Sequence, residues 1–138
     1  MSAMRFRSLF ISHSWSYGDA YEELVALLDV APHFQYQHYS VPKNDSVHSA
    51  ENIEALYDAI KNKMLLCNVV LIMAGMDAIY NKWILREIKI ATTDFCKPIV
   101  AVRRWRHEKV SPVVSLAADK LVDWNTESIV SAIREVDP

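Results

Sequence analysis

Asn68-Val69-Val70-Leu71-Ile72-Met73 is a continuous apolar run of strand length, ended by Ala74-Gly75. A strand with no polar face has to be covered on both sides, which is the situation of a central strand in a parallel sheet. The rest of the chain has to supply strands beside it and helices above and below it.

The remaining segments alternate in that sense. Ser8 to Ser12 reads as a first buried strand. After Gly18, Tyr21, Leu24, Leu27 and Leu28 keep a helical period, and Asp19 with Glu22 three residues on has capping-box spacing. Phe34 to Tyr39 is a shorter, more polar strand, suited to a sheet edge. A polar loop from Ser40 to Ser49 leads to a helix carrying Ile53, Leu56, Tyr57, Ile60 and Met64 on one face. Beyond the central strand a third helix is expected from about Asn81, with Ile84, Ile88 and Ala91 as its core stripe. Ile99 to Val102 is another buried strand and Lys120 to Trp124 a short fifth. Asn125 is placed to cap a closing helix with Ile129, Ile133 and Val136. This order implies a flavodoxin-like α/β fold: an open, mainly parallel five-stranded sheet with right-handed crossovers and helices on both faces. Ligands of such sheets collect at the carboxyl ends of the strands, near the point where strand order reverses.

At 138 residues and 51% hydrophobic, the chain fits one compact domain over 1–138. No stretch has the length of a signal peptide core or a membrane span, so a cytoplasmic protein with no membrane partner is expected. The net charge of -2 hides an asymmetry: 8 acids face only Lys43 between Gly18 and Ile60, whereas five basic residues face Glu108 between Lys97 and Lys109. The basic stretch is too short for a nucleic-acid face and reads first as a solvated loop.

Several chemistries are excluded by what is missing. With glycine only at positions 18 and 75, the chain has no Gly-rich phosphate loop of either common type. A phosphorelay receiver needs an aspartate ending the third strand, where Met73-Ala74-Gly75 stands instead. The five histidines lack ligand spacing, so no metal is expected, and Cys67 and Cys96 read as core residues. Ser14 beside His13 has no nucleophile-elbow glycines around it.

A carboxylate remains. Glu87 follows Trp83 by four residues in Asn81-Lys82-Trp83-Ile84-Leu85-Arg86-Glu87, which places both on one helical flank. Taken alone, Glu87 is more readily a solvated helix charge paired with Lys82, Arg86 or Lys89, and Trp83 an ordinary helix-to-sheet contact.

The set of motifs resembles the TIR domain family, and within it the small bacterial TIR-like branch of Thoeris antiphage defence. The resemblance rests on Leu9-Phe10-Ile11-Ser12-His13, on Asp19, on the Ser40 to Ser49 loop and on Trp83-Ile84-Leu85-Arg86-Glu87, and it spans nearly the whole chain. It implies an enzyme that cleaves the nicotinamide–ribose bond of NAD, an NAD glycohydrolase or ADP-ribosyl cyclase with Glu87 as its catalytic residue. Phe10, Ser12, His13, Trp15 and Trp83 would then form the substrate-binding wall. NAD is a substrate and no cofactor is implied. A cyclic or conjugated ADP-ribose would diffuse to a separate effector, and the chain would self-associate through TIR surfaces. Glu87 is expected at the rim of the sheet, contributing little to the core. Two other readings stand beside this one: a noncatalytic TIR interaction module working through the Ser40 to Ser49 loop, and a nucleoside deoxyribosyltransferase-like enzyme.

Overall fold

The computed structural model describes residues 6–12, 20–39, 53–74, 82–103, 110 and 112–137. Along the chain these form β1 (Phe6–Ile11), α1 (Ala20–Asp29), β2 (Gln35–Tyr39), α2 (Ile53–Met64), β3 (Val69–Met73) and α3 (Lys82–Lys89). A π-helical segment (Ile90–Asp94) continues α3, and β4 (Ile99–Arg103), α4 (Pro112–Ala117), β5 (Lys120–Asp123) and α5 (Thr126–Val136) follow.

The five strands are all parallel and lie in the order β2-β1-β3-β4-β5. This is the flavodoxin-like sheet expected from the alternation, with the apolar β3 at its centre and the polar β2 at an edge.

Strand alternation divides the core into two layers. Leu9 and Ile11 of β1, Val69 and Leu71 of β3, and Val100 and Val102 of β4 point to one face, where Leu24 and Leu28 of α1 and Ile129 and Ile133 of α5 cover them. Phe10, Val70, Ile72, Ile99 and Ala101 point to the other, beneath Ile60 and Met64 of α2, Ile84 and Ile88 of α3 and Val114 of α4. All of these are buried. Each large aliphatic side chain withdrawn from water contributes about 1.5–3 kcal/mol, so the sandwich of helices on sheet is what holds the rim of the strands in place.

The start of β1 is tied to the end of α5. Arg7, on β1, is buried and donates from Nε and Nη2 to the Asp137 carbonyl at 3.2 and 2.7 Å, just past α5. Asn125 caps α5 as expected, its Oδ1 accepting the Ser128 N–H at 2.8 Å.

Three features depart from the sequence reading. Cys96, expected in the core along with Cys67, is exposed, whereas Cys67 is buried. Strand β1 begins at Phe6 rather than Ser8, because Phe6 and Arg7 still pair in register with Gln35 and Tyr36 of β2. The connection from β4 to β5, read as having no helix, contains α4, whose Val114 packs into the core while Val113 and Leu116 stay exposed.

Candidate functional site at the carboxyl ends of β1 and β3

The chain leaves β1 to form β2 on one side of it and later forms β3 on the other, so strand order reverses between β1 and β3. A crevice opens at such a reversal, beyond the carboxyl ends of the two strands. Ser12 is the residue immediately after β1, and its N–H donates to the Leu71 carbonyl of β3 at 3.1 Å. Ala74 follows β3 and is tied to β4 by its N–H to the Val102 carbonyl at 3.0 Å. Both residues are fully buried. Two positions after Phe10, Ser12 falls on the same side of the sheet, the side covered by α2 and α3.

Helix α3 carries the carboxylate. Its buried positions are Ile84, Glu87 and Ile88, with Ile90 and Ala91 continuing the stripe in the π-helical segment. Spacing of i, i+3, i+4 and i+7 is that of a helix face pressed on a core. Glu87 therefore occupies a place where an apolar residue is the physical norm, and its side chain is 0% exposed. This corrects the reading of Glu87 as a solvated charge or an outlying rim carboxylate. Withdrawing a carboxylate from water is costly unless other groups satisfy it, and a fully buried acid is a candidate for a functional role.

The helix does not end as an ordinary α-helix. Phe95 N–H reaches the Ile90 carbonyl at 3.1 Å, a bond across five residues, and the Thr92 hydroxyl donates to the Ile88 carbonyl at 2.8 Å. Turns widened in this way are concentrated at functional sites. Tyr57 of α2 donates its hydroxyl to Asp94 Oδ2 at 2.6 Å, which joins α2 to the far end of the segment. That bond holds the Tyr57 phenol above its ordinary pKa. Hydrophobic periodicity carries no trace of the widening, because it is a change of backbone hydrogen-bond register.

The remaining candidates divide as follows. Phe10 is fully buried within the apolar layer formed with Ile60, Ile72 and Ile84. It fills core volume beneath the helices instead of presenting a stacking surface, because it lies inside β1 and not past its end. Trp83 lies on α3 in the turn before Glu87, with its side chain outside the described residues. His13, Trp15, Asp19 and the 40–49 loop also lie outside them. Of the basic stretch, Arg103 pairs with Asp123 at 2.8 Å and Lys97 donates to the Leu65 carbonyl at 3.4 Å.

A groove of about 430 Å³ opens elsewhere, between the residues after α1 (Val30, Ala31, Pro32) and Thr126, Val130 and Arg134 of α5. Those helices cover the opposite face of the sheet from α3. The groove is thus on the opposite face of the sheet from the helix that carries Glu87. No described helix is long and apolar enough to cross a membrane.

The sequence pattern as a whole has a counterpart. A family model described as the Thoeris protein ThsB, TIR-like domain, matches residues 10–109, well over half of the chain. The chain belongs to the Thoeris ThsB TIR-like domain family. The matched region runs from Phe10 in β1 through the whole of α3 and β4, so both Ser12 and Glu87 fall inside the TIR-like domain. No curated protein matches the chain significantly.

Proposed function

We propose that this Thoeris TIR protein is an NAD-consuming enzyme that breaks the nicotinamide–ribose bond, acting as a single domain over 1–138 with Glu87 as its catalytic residue. The observation that carries the reading is the complete burial of Glu87 in the core stripe of the helix after the central strand. Membership of a family that often cleaves NAD supports it.

The chemistry asks little of the protein. The nicotinamide ring of NAD carries a positive charge and leaves as a neutral molecule, so no general acid is needed. As the glycosidic bond lengthens, positive charge gathers on the ribose, and a carboxylate in a water-poor setting stabilises that charge or holds the ribose hydroxyls. Attack by water gives nicotinamide, ADP-ribose and a proton. Attack by an atom of the same molecule gives nicotinamide, a cyclic ADP-ribose and a proton, and attack by another acceptor gives a conjugate. A cyclic or conjugated product suits a Thoeris protein that signals to a separate effector through a diffusible nucleotide. Ser12 is the described polar group that would face the bound nucleotide, with His13, Trp15 and Trp83 completing the wall. Phe10 supports that wall from within the core.

The test is direct. Purified protein is incubated with NAD or with deoxynucleosides, with and without lysate from infected cells, and nicotinamide and nucleotide products are followed by chromatography and mass spectrometry. Wild type should release nicotinamide and Glu87→Gln should not. Equal release by both removes Glu87 from the mechanism. Base exchange on deoxynucleosides would favour the deoxyribosyltransferase reading, and no turnover under any condition would favour a noncatalytic interaction module.

A further inference from the structure

At the opposite edge of the sheet, where the strands begin, three large apolar side chains stand in water. Phe6 is 54% exposed, and Leu65 and Leu66 are each 58% exposed. They belong to one place. Asn68 N–H donates to the Ser8 carbonyl at 2.6 Å and Asn68 Oδ1 accepts the Ser8 N–H at 2.9 Å, which locks the start of β3 to β1. Phe6 precedes Ser8 by two residues and Leu66 precedes Asn68 by two, so both lie at the amino ends of β1 and β3. Phe6 also shares its strand face with Phe10, the face covered by α2, and Leu65 and Leu66 follow directly on Met64 at the end of that helix.

The surroundings are basic. Lys97 reaches the Leu65 carbonyl with its Nζ at 3.4 Å, and the exposed Lys63 stands two residues before Leu65. Asp94, the acid of the adjoining π-helical segment, is already engaged by the Tyr57 hydroxyl at 2.6 Å and Lys61 at 3.7 Å. Lys63 and Lys97 therefore set the sign of the charge beside the leucines. A cluster of exposed apolar side chains with charge at its margin has the anatomy of a protein interface, with anchors at the centre and a polar rim.

We propose that Phe6, Leu65 and Leu66, with Lys63 and Lys97, form a docking surface for an acidic segment of a partner protein that inserts apolar anchors between the leucines. The acidic character follows from charge complementarity with the two lysines. The surface lies at the amino ends of the strands, so a partner seated on it leaves the crevice at their carboxyl ends open. The inference does not depend on which reaction, if any, occurs there.

The probe is a fluorescein-labelled peptide alternating leucine pairs with glutamate pairs, titrated into the full chain and followed by anisotropy. A counterpart with lysine in place of glutamate is the control. Saturable binding of the acidic peptide is expected, weakened at least tenfold in Leu65→Ser/Leu66→Ser and in Lys63→Glu/Lys97→Glu, with thermal melting close to wild type in both. Because all four positions are at least partly exposed, a folded variant is the expected outcome. If either variant fails to fold, amide shifts of the wild-type chain on adding the peptide decide the matter and should centre on residues 63–68 and 97. No saturable binding, equal binding of the lysine peptide, or shifts centred elsewhere overturns the proposal. Two further results overturn it in favour of another occupant: retention on phosphatidylserine vesicles in place of peptide binding, or a dimer in sedimentation that the serine pair abolishes.

Discussion

Glu87 stands one helical turn after Ile84 on α3, and the two side chains are equally withdrawn from water, the carboxylate at 0% exposure and the isoleucine at 1%. Replacing Glu87 by methionine fills much the same space but removes a buried carboxylate from the neighbours that satisfy it, so a fall in melting temperature of several degrees is expected, on the order of 1–3 kcal/mol. The same change should abolish nicotinamide release from NAD. Glu87→Gln keeps the shape of the side chain, should melt within a few degrees of wild type, and should reduce release on the order of 100-fold or more. Calorimetry and product chromatography on the same preparations check both. A large loss of stability in both variants would mean that the carboxylate is a structural anchor.

Ile88, the next residue, gives the contrasting case. It is 8% exposed and packs in the same layer as Phe10 and Ile72. Ile88→Asp places a charge where no carboxylate is native and removes apolar contacts with the sheet. A cost above ~3 kcal/mol is expected, enough to leave much of the chain unfolded at 37 °C. Far-UV circular dichroism and urea melts would show it, and a variant as stable as wild type would contradict the packing of α3 on β1 and β3.

These two neighbours also show what the sequence discloses. Ile84, Ile88 and Ala91 announce themselves by spacing, as do the five strands, the edge position of β2 and the Asn125 cap, because each follows from a local rule of periodicity or capping. Glu87 does not, since a single acid beside Arg86 and Lys89 looks the same in sequence whether it faces water or the core. Only the packing of α3 separates the two cases. Helix α4 escapes detection for another reason: Pro112–Ala117 is six residues long and carries two adjacent valines, too short and too β-branched to display a helical period. The π-helical turn is invisible because it depends on which carbonyl each N–H selects. Phe10 was legible as a buried strand residue, and its place inside β1 explains why it packs in the core while Ser12 reaches the end.

The clamp between Arg7 and Asp137 predicts a dependence of stability on the last residues of the chain. Arg7 donates twice to the Asp137 carbonyl and lies 3.4 Å from its carboxylate. Arg7→Met preserves much of the apolar stem but removes both bonds, at a cost of about 2 kcal/mol for a charged donor lost from a buried carbonyl. Asp137→Ala leaves the carbonyl and both of its bonds from Arg7 in place and should cost less than Arg7→Met. Urea denaturation at neutral pH, with an unchanged dependence on denaturant, would establish the ranking. The reverse ranking would show that the side-chain ion pair outweighs the carbonyl bonds.

Alkaline pH should weaken the fold through Cys67. Burial pushes its thiol from an ordinary 9.0 up to about 12, with nearby Lys97 opposing the shift. Below pH 9 the thiol is protonated in both folded and unfolded chains, and its full contribution is present. Between pH 9 and about 12 the unfolded chain releases the proton while the folded chain keeps it, so that contribution is progressively lost as pH rises. Tyr36 acts in the same sense from a higher starting point, raised above its ordinary 10.0 chiefly by burial and then by its hydrogen bond to Asp29. Cys67→Ala removes the part of the slope that begins near 9 and leaves the part due to the tyrosines, Tyr36 and Tyr57. Stability measured in urea at pH 8, 9, 10 and 11 should therefore fall less steeply in the variant, even though its lost side chain makes it less stable at pH 8. Iodoacetamide gives an independent reading, since the exposed Cys96 should be alkylated at pH 8 well before the buried Cys67. Parallel pH slopes in wild type and Cys67→Ala, or equal alkylation of both thiols, would show that Cys67 is open to water in solution.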